Sequence, residues 1–233
     1  MERGLYIAAS GMVAEQMRQD QIANDLANAS TPGYKADRVT QKSFADLLVS
    51  NTTTGQSVGA LATGVAADKM VTDLTPQPLR ETGEPFDLAI AGDGWFALQT
   101  DQGTRYTRSG QFGASANGTL VDGLGHPVLG QNGQPVRIGA DGTVDAKRVG
   151  VFALGPDALK QGDNLFSGTA AGAASGSVRA GSLEGSAVDP ARAMVDMISS
   201  FRAYEAGQKV IQTIDESLRK TTTQVASSMG NGG

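Results

Sequence analysis

The chain has 233 residues, a formal net charge of −5, 31 glycines, 5% aromatic residues and no cysteine. That length allows one large domain or two small ones with a buried core, and the glycine-rich, aromatic-poor make-up favours turns and short strands over a single aromatic-packed globule. The 19 basic residues are scattered, so no basic stripe exists to neutralise phosphates and nucleic acid is not an expected partner; the missing cysteines remove disulfides, Cys-ligated metal and thiol catalysis, and suit export in an unfolded state.

In chain order, the first expected element is an amphipathic helix from about Gly4 to Asn28. Leu5, Ala8, Ala9, Met12, Ile22, Ala23 and Leu26 recur at three- and four-residue steps, with Glu15, Gln16 and Gln19 interrupting the stripe. Its stop is Ser30-Thr31-Pro32-Gly33, where Pro32 removes a donor and Gly33 accepts positive φ. Residues 1–33 are thus an N-terminal helical segment and 34–85 a linker and extended segment. The N-terminus lacks a cationic region followed by an unbroken apolar run, and no window approaches the roughly 20 apolar residues of a membrane span. Neither a cleavable signal nor membrane insertion is expected.

Residues 86–165 read as a central all-β domain of short strands and hairpins. Phe86–Ile90 alternates, Trp95–Leu98 follows a Gly-Asp-Gly turn, and turn dipeptides recur at Asn117-Gly118, Asp122-Gly123, Asn132-Gly133 and Asp141-Gly142. The Ser-, Thr-, Gly- and Ala-rich stretches at 49–64 and 166–188 read as linkers. A second helix is expected over 189–233, opened by Asp189 as cap and Pro190 at the first helical position. Met197, Tyr204, Ile211 and Leu218 fall at seven-residue spacing, flanked by Met194, Ile198, Phe201 and Ile214. This is a coiled-coil-like seam whose companion position is interrupted by Gln208 and Asp215. The fold class is therefore α+β, with long terminal helices paired as a coiled-coil-like hairpin around a central β domain.

Candidate chemistry is sparse. Gly92-Asp93-Gly94-Trp95-Phe96-Ala97 matches a dinucleotide-binding pattern, but the next residues are too short and Gly-bounded to be the helix that would hold a pyrophosphate. The only histidine, His126, sits in a Gly-His-Pro turn, which leaves no His cluster for metal and no triad. Asp141-Gly142-Thr143-Val144-Asp145 lacks the spacing and bidentate Glu of a calcium loop. No catalytic residue, cofactor site or metal site is assigned, and the chain is not expected to be an enzyme. A cell-wall glycan hydrolase would need convergent carboxylates that nothing in the residue order supports; a soluble monomeric binding or capping module is the other alternative.

Amphipathic helices need their apolar faces covered. Pairing the two with each other leaves apolar surface for copies of the same protein, and the candidate subunit-interface residues are Leu5, Ala9, Met12, Ile22 and Leu26 with Met194, Met197, Ile198, Phe201, Tyr204, Ile211, Ile214 and Leu218. Repeated contacts between identical subunits that do not close generate a helical filament, though the pattern alone leaves a closed ring and a dimer open.

Three sets of residues carry a resemblance. Leu5-Tyr6-Ile7-Ala8-Ala9-Ser10-Gly11-Met12 with Ile22-Ala23-Asn24-Asp25-Leu26-Ala27-Asn28-Ala29-Ser30-Thr31-Pro32-Gly33-Tyr34-Lys35 resembles the N-terminal signature of bacterial flagellar rod and hook proteins. Ala91–Phe96 and Tyr106–Phe112 resemble that family's central β motifs, and Leu183–Pro190 with Met194–Ile198 and Arg202–Ala206 its closing helix. Trp95, Asp25 and Ala187 depart from the commoner Phe, Asn and Asn. The resemblance implies a structural subunit of the basal-body rod, the tubular drive shaft that transmits torque from motor to hook outside the cytoplasmic membrane. It further implies export by the flagellar type III apparatus and partners that are copies of itself and other rod and hook axial proteins. The compact segment between the first helix and the β domain favours a proximal-rod over a distal-rod type, and a hook subunit is disfavoured by the small central domain.

Overall fold

The computed structural model describes residues 2–43, 47–50, 57–61, 64–139, 141–155, 158–162 and 164–230. Two helices bracket a β-rich middle: α1 spans Glu2–Ala27 and α2 spans Pro190–Gly230. The chain divides into two compact units, one holding residues 1–26, 37–71 and 190–233, the other 27–36 and 72–189.

In the first unit, α1 and α2 touch at points that run in opposite chain directions. A Cβ on Gly4 would lie 3.5 Å from Ile214 Cδ1, one on Gly207 would lie 2.7 Å from Met12 Cγ, and Ser200 Oγ donates to Glu15 Oε2 at 2.7 Å. Sheltered positions on α2 follow a three–four rhythm through Ala193, Met197, Ser200, Tyr204, Gly207, Ile211 and Ile214. The companion seam expected at Met194, Phe201, Gln208 and Asp215 is exposed instead. Its place is taken one residue earlier by Ser200 and Gly207, because small residues let the backbones approach and a search for large apolar side chains passes over them. Leu218 is also exposed, lying beyond the point where Gly4, near the start of α1, meets Ile214. From there α2 continues for about 24 Å. The same unit carries β1 (Asp37–Ser43) paired with β4 (Val65–Thr72), and β2 (Leu47–Ser50) antiparallel to β3 (Ser57–Leu61). The expected linker at 49–64 thus contains strand where it is described; residues 51–56 and 62–63 lie outside the described residues.

The second unit is built from short strands: β5 (Leu79–Glu81), β6 (Leu88–Ala91), β7 (Phe96–Thr100), β8 (Gly103–Thr107), β9 (Gly113–Ala114), β10 (Leu120–Val121), β11 (Val128–Leu129), β12 (Phe152–Leu154), β13 (Leu159–Lys160), β14 (Phe166–Ser167), β15 (Ala170–Ala173), β16 (Ser177–Ala180) and β17 (Ser182–Glu184). A five-stranded antiparallel sheet runs β11-β7-β8-β14-β13. Its core gathers Leu88, Ile90, Phe96, Leu98, Phe112, Leu120 and Val128, with Trp95, Tyr106 and Phe166 in an adjoining aromatic cluster. Trp95 and Phe166 stack tilted at 4.7 Å between ring centroids, a geometry that adds to their area burial. Residues 166–188, expected to be a linker, form four strands. β16 pairs with the buried β6, β17 with β5, β15 with β12 and β14 with β8. Small side chains suit strands whose partners supply the packing, so low hydrophobicity there did not mean an unpaired chain.

Candidate functional site

α1 is apolar on two sides. At 100° per residue, Gly4, Ala8, Gly11, Met12 and Glu15 share the side nearest α2, and with Ala203, Gly207 and Val210 they line an open groove of about 450 Å³. Tyr6, Val13 and Met17, spaced i, i+7, i+11, lie on the opposite side and stay 60%, 53% and 49% exposed; Met17 lines a groove there with Val39 of β1 and Met70 of β4. On α2 the outward stripe is Met194, Ile198 and Phe201, spaced i, i+4, i+7, with Val195 beside it; all four are exposed. Of the expected interface residues, Leu5, Met194, Ile198, Phe201 and Leu218 are therefore open to solvent, whereas Ala9, Met12, Ile22, Leu26, Met197, Tyr204, Ile211 and Ile214 are half-buried within the monomer. Tyr6, Val13 and Met17 escaped the sequence reading, which followed the single strongest stripe. Their own eleven-residue spacing was the available signal. Among the described residues, every exposed large apolar side chain except Leu74, Leu124 and Leu159 lies in the first unit, a concentration of the kind that marks interaction surface.

The second unit holds a buried ionic cluster. The Glu184 carboxylate accepts from Lys35 Nζ at 2.7 Å, from the Arg108 guanidinium at 3.0 Å and from the Gln77 amide at 2.9 Å. Lys35 Nζ also donates to Thr75 O at 2.6 Å, and Arg108 to Gly92 O at 3.0 Å. Lys35, Arg108 and Glu184 are each at most 3% exposed. Burial, the largest influence, draws the Lys35 pKa below its ordinary value, and the hydrogen bond and charge of Glu184 oppose that. Backbone pairing surrounds the cluster: the Gly33 amide donates to Glu184 O and the Ala187 amide to Tyr34 O, both at 2.9 Å. Gly33, at φ +66°, passes so close to Arg108 that a Cβ there would lie 2.3 Å from its carbonyl carbon. Motifs far apart in the chain, Thr31–Lys35, Tyr106–Gly110 and Leu183–Gly185, thus converge on one carboxylate. No role for Lys35, Arg108 or Glu184 was visible in sequence, where each was one letter of a motif.

The remaining sequence candidates have ordinary surroundings. Gly94 packs its backbone against Val151 and Ala174 in the turn before β7, His126 Nδ1 lies 2.9 Å from Asp122 Oδ2 within its own turn, and Asp141 accepts from Thr143. Among the described residues no group of three or more His, Cys, Asp or Glu is placed to hold a metal ion, and no helix is long and apolar enough to cross a membrane.

Three family models match the chain in order: the flagella basal body rod protein model over residues 5–35, the flagellar hook protein FlgE/F/G D1 domain over 89–146, and the flagellar basal body rod FlgEFG protein C-terminal model over 179–224. The chain is 34% identical to the flagellar basal-body rod protein FlgG of Bacillus subtilis, covering 94% of this chain and 98% of that one. It is 35% identical to FlgG of Agrobacterium fabrum (92% and 96% covered) and 34% identical to the rod protein FlgF of Salmonella typhimurium (93% and 95% covered). With matches of this extent at both ends and in the middle, the chain belongs to the flagellar basal-body rod protein family.

Proposed function

We infer that this rod-family chain is a structural subunit that polymerises through its terminal helices, with copies of itself and with other axial proteins, into the tubular shaft that passes torque from motor to hook. The observation that carries the reading is the second apolar side of α1: Tyr6 and Val13 face away from α2 and are exposed, as is the outward Met194–Ile198–Phe201 stripe of α2. A helix pair satisfied by itself would carry polar residues there. Two different stripes on one subunit meet as unlike surfaces, and such heterologous contacts extend into filaments when they do not close. The α1–α2 pair acts as a coiled-coil-like layer through which subunits meet. Close packing in that layer would carry strain with little compression, as a drive shaft requires. Export through the flagellar type III apparatus and residence in the basal body accompany this reading. FlgG- and FlgF-named relatives match at equal 34% identity, so a proximal place in the rod rests on the compact segment after α1 alone.

The test removes either helix. Deleting residues 2–26 or 190–233 spares the second unit, which begins at residue 27 and uses Asn28 O as acceptor for the Ser186 hydroxyl. Each deleted form should keep the near-ultraviolet signal of Trp95 and sediment as a monomer at concentrations where the full chain polymerises. Polymer formation by either form at the full-length concentration would sink the helix-assembly reading.

A further inference from the structure

The chain passes between its two units four times, beside residues 27, 36, 72 and 189. In the second unit the residues next to all four passages are bonded to one another. The Asp73 amide donates to Ala36 O, the Gly33 amide to Glu184 O, the Ala187 amide to Tyr34 O, the Gly185 amide to Pro78 O and the Ser186 hydroxyl to Asn28 O. At the centre of this weave sits the Glu184 side chain, holding Lys35 beside the second passage and Gln77 near the third, while its own strand leads to Ser186 and so to the first and fourth. Its other oxygen is anchored on Arg108, which lies 5.5 Å from the ring centroid of Trp95 in the body of the β unit.

We propose that Glu184 is a latch: closed, it holds residues 28–36, 73–78 and 182–188 to one another as a bundle against the β core, and released, it lets those three segments part from one another while the core built on β7, β8 and β11 stays folded. The inference stands on the second unit alone and does not depend on how the helices assemble. Three features favour a separable bundle. The ladder beside it, β17 with β5, is three residues long, and the bundle also meets the β core through single bonds from Lys160 Nζ to Lys35 O at 2.8 Å and from Asn164 Nδ2 to Pro32 O at 3.3 Å, so few ladder bonds back up the carboxylate. One carboxylate serves two cations, with Asp73 the next anion acting on Lys35, and Arg108 Nε has no hydrogen-bond partner in its buried position. Without the Glu184 charge, two buried cations repel each other in a low-dielectric site, which costs far more than a lost surface ion pair. The core, by contrast, rests on apolar contacts among Leu88, Phe96, Leu98, Leu120 and Val128 that owe nothing to the cluster.

Amide hydrogen exchange on the intact chain tests this. In Glu184→Gln, exchange should quicken at least tenfold at Gly33, Gln77, Gly185 and Ala187. It should remain within about twofold of wild type at Gln99, Leu120 and Val136, whose amides bond within the core. The single tryptophan reports that the core is folded. Lys35→Met, which keeps the Arg108–Glu184 pair, should quicken the same bundle amides several-fold and no others; if Glu184→Gln does not fold, this variant decides by the same criterion. Uniform acceleration across bundle and core, or no change at the bundle, overturns the latch.

Discussion

Replacing Val13 by glutamate puts the proposed assembly surface under the most direct strain. Val13 is 53% exposed at the centre of the outward side of α1, so roughly half its surface is still available to a neighbour. Burying a whole valine side chain is worth about 1.5–3 kcal/mol, so each contact formed there gains about 1 kcal/mol from this residue. Glutamate loses that gain and adds the cost of taking a carboxylate out of water with no partner provided, several kcal/mol in effective terms. A combined penalty of about 3 kcal/mol is a shift of more than about a hundredfold in the critical concentration for assembly. The monomer should barely register the change, because Val13 is outside the α1–α2 contact and glutamate is the better helix former; its stability should move by less than about 1 kcal/mol. Sedimentation velocity and electron microscopy of the polymer read the first quantity, and urea unfolding followed by circular dichroism the second. Val13→Leu is the control that should assemble normally. If Val13→Glu polymerises at the wild-type concentration, that side of α1 is not a subunit contact and the proposed function loses its main support.

Three further outcomes follow from the packing. Gly110→Ala would place a Cβ 1.5 Å from Leu88 O, beside the bond that the Leu88 amide makes to Gly110 O; since backbone must move, the loss should exceed about 3 kcal/mol, read as a drop in the urea midpoint of the β unit. Gly207→Leu forces a side chain towards Met12, where even a Cβ would lie 2.7 Å from Cγ. Met12 is flexible, so a cost of about 1–3 kcal/mol is expected, seen as an earlier helical transition in far-ultraviolet circular dichroism while the Trp95 signal holds. Burial pushes the Tyr106 phenol above its ordinary pKa near 10. Between that value and its raised one the folded chain therefore binds more protons than the unfolded chain, and stability falls as pH rises through the window; Tyr106→Phe should remove that part of the alkaline slope in urea midpoints measured across it.

The helices were legible because their signals are local. Periodic Leu, Ala, Met and Ile, the Pro32-Gly33 stop and the Asp189-Pro190 start need only neighbouring residues, and α1 and α2 fall where those signals put them. The β-rich middle was legible from turn dipeptides such as Asn117-Gly118, where the Gly118 amide closes on Ser115 O, whereas the alternation expected at Phe86–Ile90 is replaced by a strand, Leu88–Ala91, buried on both sides. The strands at 166–188 were not, because Ala170–Ala173 and Ser177–Ala180 owe their conformation to β12 and β6, more than fifteen residues away in sequence. The seam on α2 was half legible: Met197, Tyr204 and Ile211 marked the sheltered side, while Ser200 and Gly207 were invisible to a search for bulk.

Sequence alone determined where α1 stops and α2 starts, the kind of element between them and, through motifs in order, the family. Each depends on steric and hydrogen-bonding preferences that act within a few residues. Only the tertiary structure decided which apolar side of each helix is covered and which is left open, because that depends on how closely Gly4, Ser200 and Gly207 let two backbones approach. It alone decided that Lys35, Arg108 and Glu184 share one buried site. Their separations of 73 and 76 residues are closed by the β ladders between them, and the mutual neutralisation that makes those charges tolerable exists only once the chain has folded.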